Sequence, residues 1–352
     1  MTLRELSKEI GCSRATLDRV LHNRPGVSQK RRQKILQQIE NLGYKPNRIG
    51  TMLAKQKRTV IGIILCADIT AIGNPLFHII AQGMEEAVKD LEQTGVSFLL
   101  RHLKSGKASE QIQVIDELVQ ECGVSGIALS LEENTDELYE VIQKYMDRGV
   151  RFVSYFNING VKTSDFSFAY SLGIDQKREG YVAAGLMAKF IQGKGKVALL
   201  SGLEKNQVHQ LRMDYAKEYL EREYPEIEVL PIFRNCFPKE VVEDLTEQLM
   251  TEQPDLSGII LSCGFSNALI EKIRDSKFRR QLSIIVFDLT SQNIKELERG
   301  ESDAVIGVDL KMLGFRTVHA IYDYIFQNAV RQDILEIPLQ LYLKELIMNL
   351  DE

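Results

Sequence analysis

From Thr59 onward the chain repeats one unit: a short apolar run of strand length followed by an amphipathic run of helical length. Val60 to Leu65 is a buried-strand run, and Phe77 to Leu91 places Phe77, Ile80, Met84, Ala87 and Leu91 on one helical face. The spacing predicts further strands at Val96 to Leu100, Gly126 to Leu129 and Phe152 to Phe156, with helices near Gln111 to Gln120 and Leu138 to Met146. A second series predicts strands at Lys196 to Leu200, Val229 to Phe233, Gly258 to Leu261, Ser283 to Phe287, Ala304 to Val308 and Gln340 to Leu343. Helices from Arg178, Leu211, Val241, Asn267, Ser291 and Met312 separate them. Strands joined by helix-length crossovers pair in parallel, and such a sheet must be covered on both faces. At 352 residues there is room for more than one such unit. The expectation is α/β: two doubly wound parallel sheets, with a ligand beyond the carboxyl ends of the strands.

The first 58 residues do not share this pattern. They hold 14 Lys and Arg against 4 Asp and Glu, a balance of +10, whereas residues 59–352 carry −15. A basic segment on an acidic body points to a nucleic-acid arm. Within it Thr2 and Glu5 form a capping box, and Leu3, Leu6 and Ile10 share a face of a first helix. Gly11 ends that helix and Ser13 caps a second, whose Ala15, Leu17, Val20 and Leu21 can pack back while Arg14, Thr16 and Arg19 face outward. This is the outline of a helix-turn-helix, though an ordinary helical hairpin fits the stretch equally. Ser28 caps a third helix, Gln29 to Leu42, with Ile35, Ile39 and Leu42 as its stripe.

The run from Thr2 to Ala54 resembles the headpiece and hinge of the lactose-repressor (LacI/GalR) family. The shared marks are T-L-x-x-L-S from Thr2, G-C-S-x-x-T-L-x-R-V-L from Gly11, V-S-x-x-x-R from Val27, L-G-Y-x-P-N from Leu42, and a leucine six residues on, Leu53. The resemblance implies a helix-turn-helix headpiece over 1–45 and a hinge over 46–58. It also implies an effector and dimerisation domain over 59–345, divided at about 59–157 plus 292–322 and 158–291 plus 323–345. It gives Arg14 and Ala15 as base readers in the major groove and Arg19 as a base or phosphate contact. Thr2, Ser13, Thr16, Ser28, Arg31 and Asn47 are the remaining expected DNA-contact residues, and Leu53 is the wedge between central base steps. Asp18 departs from the family serine, and Gly50 stands where alanine is usual.

The effector domain so implied is of periplasmic-binding-protein type I. Its expected cleft residues are Asn74, Phe77, Asn157, Arg212, Phe265 and Asp288. Arginine and aspartate together suit a polyol, one donating and one accepting. Cys263-Gly264-Phe265 stands where the family shows N-D, and Val308 where glutamine is common.

Enzyme chemistry finds no support. The five histidines make no H-x-x-x-H or H-E-x-x-H, and neither a Walker A nor a G-x-S-x-G occurs. Five scattered cysteines without C-x-x-C argue against a disulfide framework and against zinc. No catalytic residue, metal or cofactor is expected. No apolar run reaches membrane-spanning length, and the N-terminus lacks a signal-peptide stretch, so the expected location is the cytoplasm. The expected function is a homodimeric repressor on a pseudo-palindromic double-stranded operator, controlled by a sugar or sugar derivative. The alternatives are a purine-type co-repressor mechanism and a sugar-binding protein without regulatory role.

Overall fold

A computed structural model describes residues 3–21, 26–42, 59–65, 76–105, 107–131, 135–155, 170–202, 207–236, 239–262, 266–274, 276, 281–330, 335 and 337–347. The basic segment forms α1 (Leu3–Ile10), α2 (Arg14–Leu21) and α3 (Gln29–Asn41). Gly11 turns the chain at φ 69°, and Ser13 Oγ caps α2 by accepting from the Thr16 amide at 3.1 Å. Leu6, Leu17, Val20, Ile35 and Ile39 close a small core, with Ile10, Cys12 and Val27 against it. Two expectations change. Ala15 is exposed, because residues two apart do not share a helical face and Leu17 holds the inward one. Leu42 is 40% exposed, since α3 ends one residue before it.

The body begins with β1 (Val60–Leu65), α4 (Leu76–Leu91), β2 (Ser97–His102), α5 (Ala108–Asp116), β3 (Gly126–Leu129), α6 (Asp136–Asp147), β4 (Arg151–Tyr155) and β5 (Tyr170–Leu172). It continues with α7 (Gln176–Phe190), β6 (Gly195–Ser201), α8 (Gln207–Glu223), β7 (Ile227–Val229), α9 (Lys239–Glu252), β8 (Leu256–Ser262), α10 (Ser266–Ile273) and β9 (Ser283–Phe287). It closes with α11 (Ser291–Glu298), β10 (Ala304–Val308), α12 (Leu310–Gln327), β11 (Leu339–Tyr342) and the short α13 (Lys344–Ile347).

The first sheet runs β2-β1-β3-β4-β5, all parallel. The second runs β11-β10-β9-β8-β6-β7, parallel except for β11. Each sheet is buried on both faces. On the first, α4 and α12 cover one side and α5 and α6 the other. On the second, α9, α10 and α11 cover one side and α7 and α8 the other. The closest helix pair is α4 with α12. A Cβ on Gly83 would lie 1.9 Å from the Lys311 carbonyl oxygen, and one on Gly314 would lie 2.0 Å from that of Ile80. The two backbones therefore touch where glycine leaves room.

The strand assignment corrects the expected subdomain limits. β5, three residues long, joins the first sheet although it lies past residue 158. β10 sits in the second sheet between β9 and β11, although 292–322 was expected in the first unit. α12 returns to the first sheet through Leu310, Leu313, Val318 and Ile321, and Val330, Leu335 and Ile337 pack on the same core. The crossings thus fall at 173–175, at 309 and in 328–338. β7 is also shorter than the expected Val229 to Phe233; Phe233 makes only an isolated bridge with Leu200.

Candidate functional site

In the second sheet the strand order reverses between β6 and β8, on either side of which the crossover helices take opposite faces. A crevice beyond the carboxyl ends of the strands forms at such a switch point. α8 leaves from β6 and carries Arg212 in its second turn. β9 ends at Phe287, and Asp288 follows at φ 73°, a left-handed conformation that aspartate tolerates better than most residues. Its backbone is held on every side. The Asp288 amide donates to the Ile306 carbonyl at 2.8 Å, and the Asn293 side chain donates to the carbonyls of Phe287 and Asp288, both at 2.8 Å. Thr290 caps α11 by accepting from the Asn293 amide.

Arg212 joins the two ends. Its Nη2 donates to Asp288 Oδ1 at 2.9 Å and its Nη1 to Asp288 Oδ2 at 3.3 Å. The guanidinium also stacks 4.6 Å from the Phe287 ring centroid, a cation–π contact in a desolvated place. The arginine and aspartate read from the sequence are thus brought together.

A third member was not read from the sequence. Glu179, on α7, accepts from Arg212 Nε at 2.7 Å and from Nη2 at 3.0 Å. Both side chains of this pair are 1% exposed, whereas Asp288 is 19% exposed and forms the solvent-facing edge. The close approach has a cause one residue on: a Cβ on Gly180 would lie 2.6 Å from the Arg212 carbonyl oxygen. Only glycine lets α7 and α8 cross this tightly and so bring Glu179 under the guanidinium. A signal for it does exist. Gln176, Glu179, Ala183 and Met187 recur at helical spacing and are all buried, so a carboxylate on that stripe needs a buried cation.

The charges respond to this packing. Burial pushes the Glu179 carboxyl above its usual range, more than Arg212 pulls it down; Asp288 and Asp175 add to the rise. Burial disfavours the Arg212 charge, but Asp288 and Glu179 together hold its pKa above the ordinary arginine value. One turn earlier on α8, burial and the Arg212 charge lower His209 to about 4, against a smaller opposing pull from Asp288. The His209 carbonyl accepts from Ser262 Oγ at the end of β8, which ties the start of α8 to the neighbouring strand.

Of the other expected cleft residues, Phe77 is half-buried and packs against the first core from the opening turn of α4. Asn74, Asn157 and Phe265 lie outside the described residues. So do Thr2, Asn47 and Leu53 of the DNA-contact set, and the side chain of Arg14. On the headpiece Ser13, Ala15, Arg19, Ser28 and Arg31 are exposed and Thr16 is half-exposed, its hydroxyl 2.8 Å from Ser13 Oγ. Arg32 instead turns inward, donating from Nη1 to the Arg19 carbonyl at 3.4 Å, which fixes α3 across the end of α2. Among the described residues no group of three or more His, Cys, Asp or Glu could hold a metal ion, and no helix is long and apolar enough to cross a membrane.

Comparison with known proteins assigns both parts. Residues 69–328 match the model of a periplasmic binding protein domain, and residues 2–47 match that of bacterial regulatory proteins of the lacI family. The chain is 22% identical to the "Ribose operon repressor" of Lactococcus lactis subsp. lactis (strain IL1403) over 98% of each. It is 36% identical to "Catabolite control protein A" of Priestia megaterium over 86 residues, where it spans only a quarter of that relative's length. Among solved structures, an ABC transporter solute binding protein from Burkholderia graminis C4D1M in complex with D-arabinose aligns with TM-score 0.69 and 20% identity, over 83% of this chain and 98% of that one. A sugar-binding protein of a Bacillus halodurans sugar ABC transporter aligns with TM-score 0.68 and 22% identity, over 82% and 98%. These relatives by sequence are transcriptional regulators and not enzymes. A helix-turn-helix segment of one family model, joined to a two-sheet binding domain of the other, places the protein in the lacI family of bacterial regulatory proteins.

Proposed function

We propose that the protein is a sequence-specific transcriptional repressor that binds a pseudo-palindromic operator as a homodimer and is controlled by a sugar or sugar derivative. The observation that carries the effector half is the Arg212–Asp288 pair, set at the carboxyl end of β9 beside the switch point of the second sheet. A fixed donor and acceptor of this kind match a vicinal diol, and Asp288 keeps an edge toward solvent where a hydroxyl can reach it. The names of the relatives point the same way: the ribose operon repressor of Lactococcus lactis, and solved binding proteins holding D-arabinose or D-allose.

For the DNA half, Arg14 and Ala15 open α2 and read base edges; Arg14 can take guanine O6 and N7 together. Ser13, Thr16, Arg19, Ser28 and Arg31 position the headpiece on phosphates, with Thr2 and Asn47 beside them. Leu53, paired with its twin in the second subunit, wedges the central base step. Two-fold protein symmetry then requires a two-fold operator. The effector acts by differential affinity for two arrangements of the subunits, so effector and operator affinities are linked reciprocally.

The deciding experiment selects bound duplexes from a random library with the full-length protein, with and without D-ribose, D-arabinose, D-galactose and D-glucose. The expected product is an inverted repeat whose affinity one of these sugars lowers. A non-repeating site would remove the dimer reading. A repeat indifferent to every sugar would remove the effector reading while leaving the DNA reading intact.

A further inference from the structure

The guanidinium of Arg212 has five N–H groups, and four of the hydrogen bonds it makes are already committed. Nε and one hydrogen of Nη2 go to Glu179, at 2.7 and 3.0 Å. The other hydrogen of Nη2 and one of Nη1 go to Asp288, at 2.9 and 3.3 Å. A single Nη1 hydrogen is left over. An arginine that recognises a carboxylate or phosphate does so by offering two parallel N–H groups to two oxygens. Here both such forks are occupied, one by a carboxylate buried behind the site and one by the carboxylate on its edge.

We infer that Glu179 is a specificity-determining residue: by clamping Arg212 from behind, it makes the cleft select uncharged sugars and reject sugar phosphates and sugar acids. This rests on the effector reading above and names the ligand class of that same site.

Geometry and charge act together at this site. Without Glu179, Arg212 could turn its Nε–Nη2 edge toward the crevice and serve an anionic ligand while Asp288 held the other edge. With Glu179 in place, that edge is taken by a buried carboxylate, and the whole Arg212 side chain is 1% exposed. An anionic group entering the crevice would meet the 19% exposed carboxylate of Asp288 before any unpaired cation. Its charge would be repelled there and it would lose its hydration without a two-pronged partner. A hydroxyl pays neither penalty. It needs an acceptor, and the 19% exposed carboxylate of Asp288 supplies one. Selectivity here therefore comes as much from what the site denies an anion as from what it offers a polyol.

Gly180 supports the assignment from the backbone side. Any side chain there would push α7 off α8, since a Cβ would also lie 2.9 Å from Tyr215 Cβ. The close crossing is what carries the Glu179 carboxylate to Arg212.

The test is calorimetric titration of the full-length protein with matched pairs: D-ribose and D-ribose 5-phosphate, D-glucose and D-glucose 6-phosphate, D-galactose and D-galacturonate. The expected result is that the neutral member of at least one pair binds and its anionic partner binds at least tenfold more weakly. An anionic member that binds as tightly as its neutral partner overturns the inference and leaves the sugar-effector reading standing. Failure of all six to bind overturns the effector reading, and the inference with it. The second arm repeats the titration with Glu179→Gln, which keeps the shape and frees one N–H of the clamp. Its ratio of anionic to neutral affinity should rise at least tenfold over that of the unsubstituted protein. A merely structural role would weaken both members alike, and an unchanged ratio would remove the selectivity from Glu179. Should Glu179→Gln not fold, as judged by far-ultraviolet circular dichroism, Glu179→Asp, which draws the carboxylate back by one methylene and loosens the clamp, takes its place with the same expected rise and the same refuting result.

Discussion

Replacing Arg212 by alanine should be among the most destabilising single changes in the body. Glu179, 1% exposed in the folded protein, would lose both of its hydrogen-bond donors. Breaking a buried pair by removing one partner costs about 3–5 kcal/mol, because the surviving charge is left uncompensated. For a domain of this size about 1 kcal/mol shifts Tm by roughly 2–4 °C, so the expected fall is of order 10 °C. The loss should depend on pH in a definite direction. A carboxyl whose folded pKa is raised binds its proton more readily in the folded state than in the unfolded one. Its stability contribution is therefore present below pH 4.5 and lost as pH rises through the folded pKa. In Arg212→Ala the cation that pulls Glu179 down is gone, while burial and Asp288 still push it up. The deficit should thus shrink as pH is lowered from 8 to 5, by about 1.4 kcal/mol for each unit the carboxyl has moved. The double variant Glu179→Met, Arg212→Met should recover most of the loss, since apolar side chains of similar volume replace a buried pair without the desolvation cost. Urea unfolding followed by circular dichroism at pH 5 and 8 checks all three statements. A single variant within 1 kcal/mol of the unsubstituted protein, or a double variant no more stable than the single, would refute the view that Glu179 depends on Arg212. It follows that alanine at 212 confounds stability with ligand response, and the effector role is better tested at Asp288, whose edge reaches solvent.

Other consequences are checked as directly. Gly314→Ala should cost about 1–3 kcal/mol or more by overpacking, because its Cβ would lie 2.0 Å from the Ile80 carbonyl and only backbone movement relieves it; thermal denaturation reads this, and an unchanged Tm would mean α4 and α12 separate freely. Leu17→Ala removes the centre of a core of five buried residues, at about 2–5 kcal/mol, and should melt the headpiece while leaving the two-sheet body intact; amide exchange that rises in both parts alike would contradict their independence. His209, lowered to about 4, binds its proton less readily in the folded state, so its contribution is full above pH 6.5 and is lost as pH falls from 6.5 toward 4. His209→Asn should flatten that limb of the stability profile, and an unaltered slope would assign it elsewhere. Asp288→Asn should abolish the response of operator binding to sugar while leaving operator affinity unchanged; a retained response would remove Asp288 from the effector site.

The parts of the fold that could be read in advance are those where one local pattern has one structural meaning. Val60 to Leu65, Gly126 to Leu129, Ser283 to Phe287 and Ala304 to Val308 are strands at the limits their apolar runs set. The helices differ by a few residues at their ends, where capping decides: Thr135 and Asp175 start α6 and α7 ahead of the first apolar residue. What could not be read is which sheet a strand joins. A-V-I-G-V in β10 is apolar throughout, and both sheets bury both faces, so the run carries no mark of its partner. Tyr170–Leu172 was missed although Phe166, Phe168, Tyr170, Leu172 and Ile174 alternate at strand period; only three residues of that stretch pair, along the β4 edge.

The site shows the same division with more consequence. Asp288 was expected from its match to a family aspartate after an apolar strand, and it follows β9 with its carboxylate on Arg212. Arg212 was legible by its register with a family motif, but its behaviour was not. A helical arginine in sequence gives no count of the carboxylates around it, and here two of them take four of its five N–H groups. Glu179 is separated from Arg212 by 33 residues and one strand, and the contact exists only because Gly180 lets two helices cross within touching distance. Chemistry that depends on a tertiary crossing is invisible to periodicity. The buried stripe Gln176, Glu179, Ala183, Met187 nevertheless marks Glu179 as a carboxylate that must find a cation, and Arg212 is the cation that the crossing supplies. Asp288 follows a strand end and Arg212 stands on a covering helix, and the carboxylate that pairs with Arg212 from behind is found by asking which buried stripe contains one.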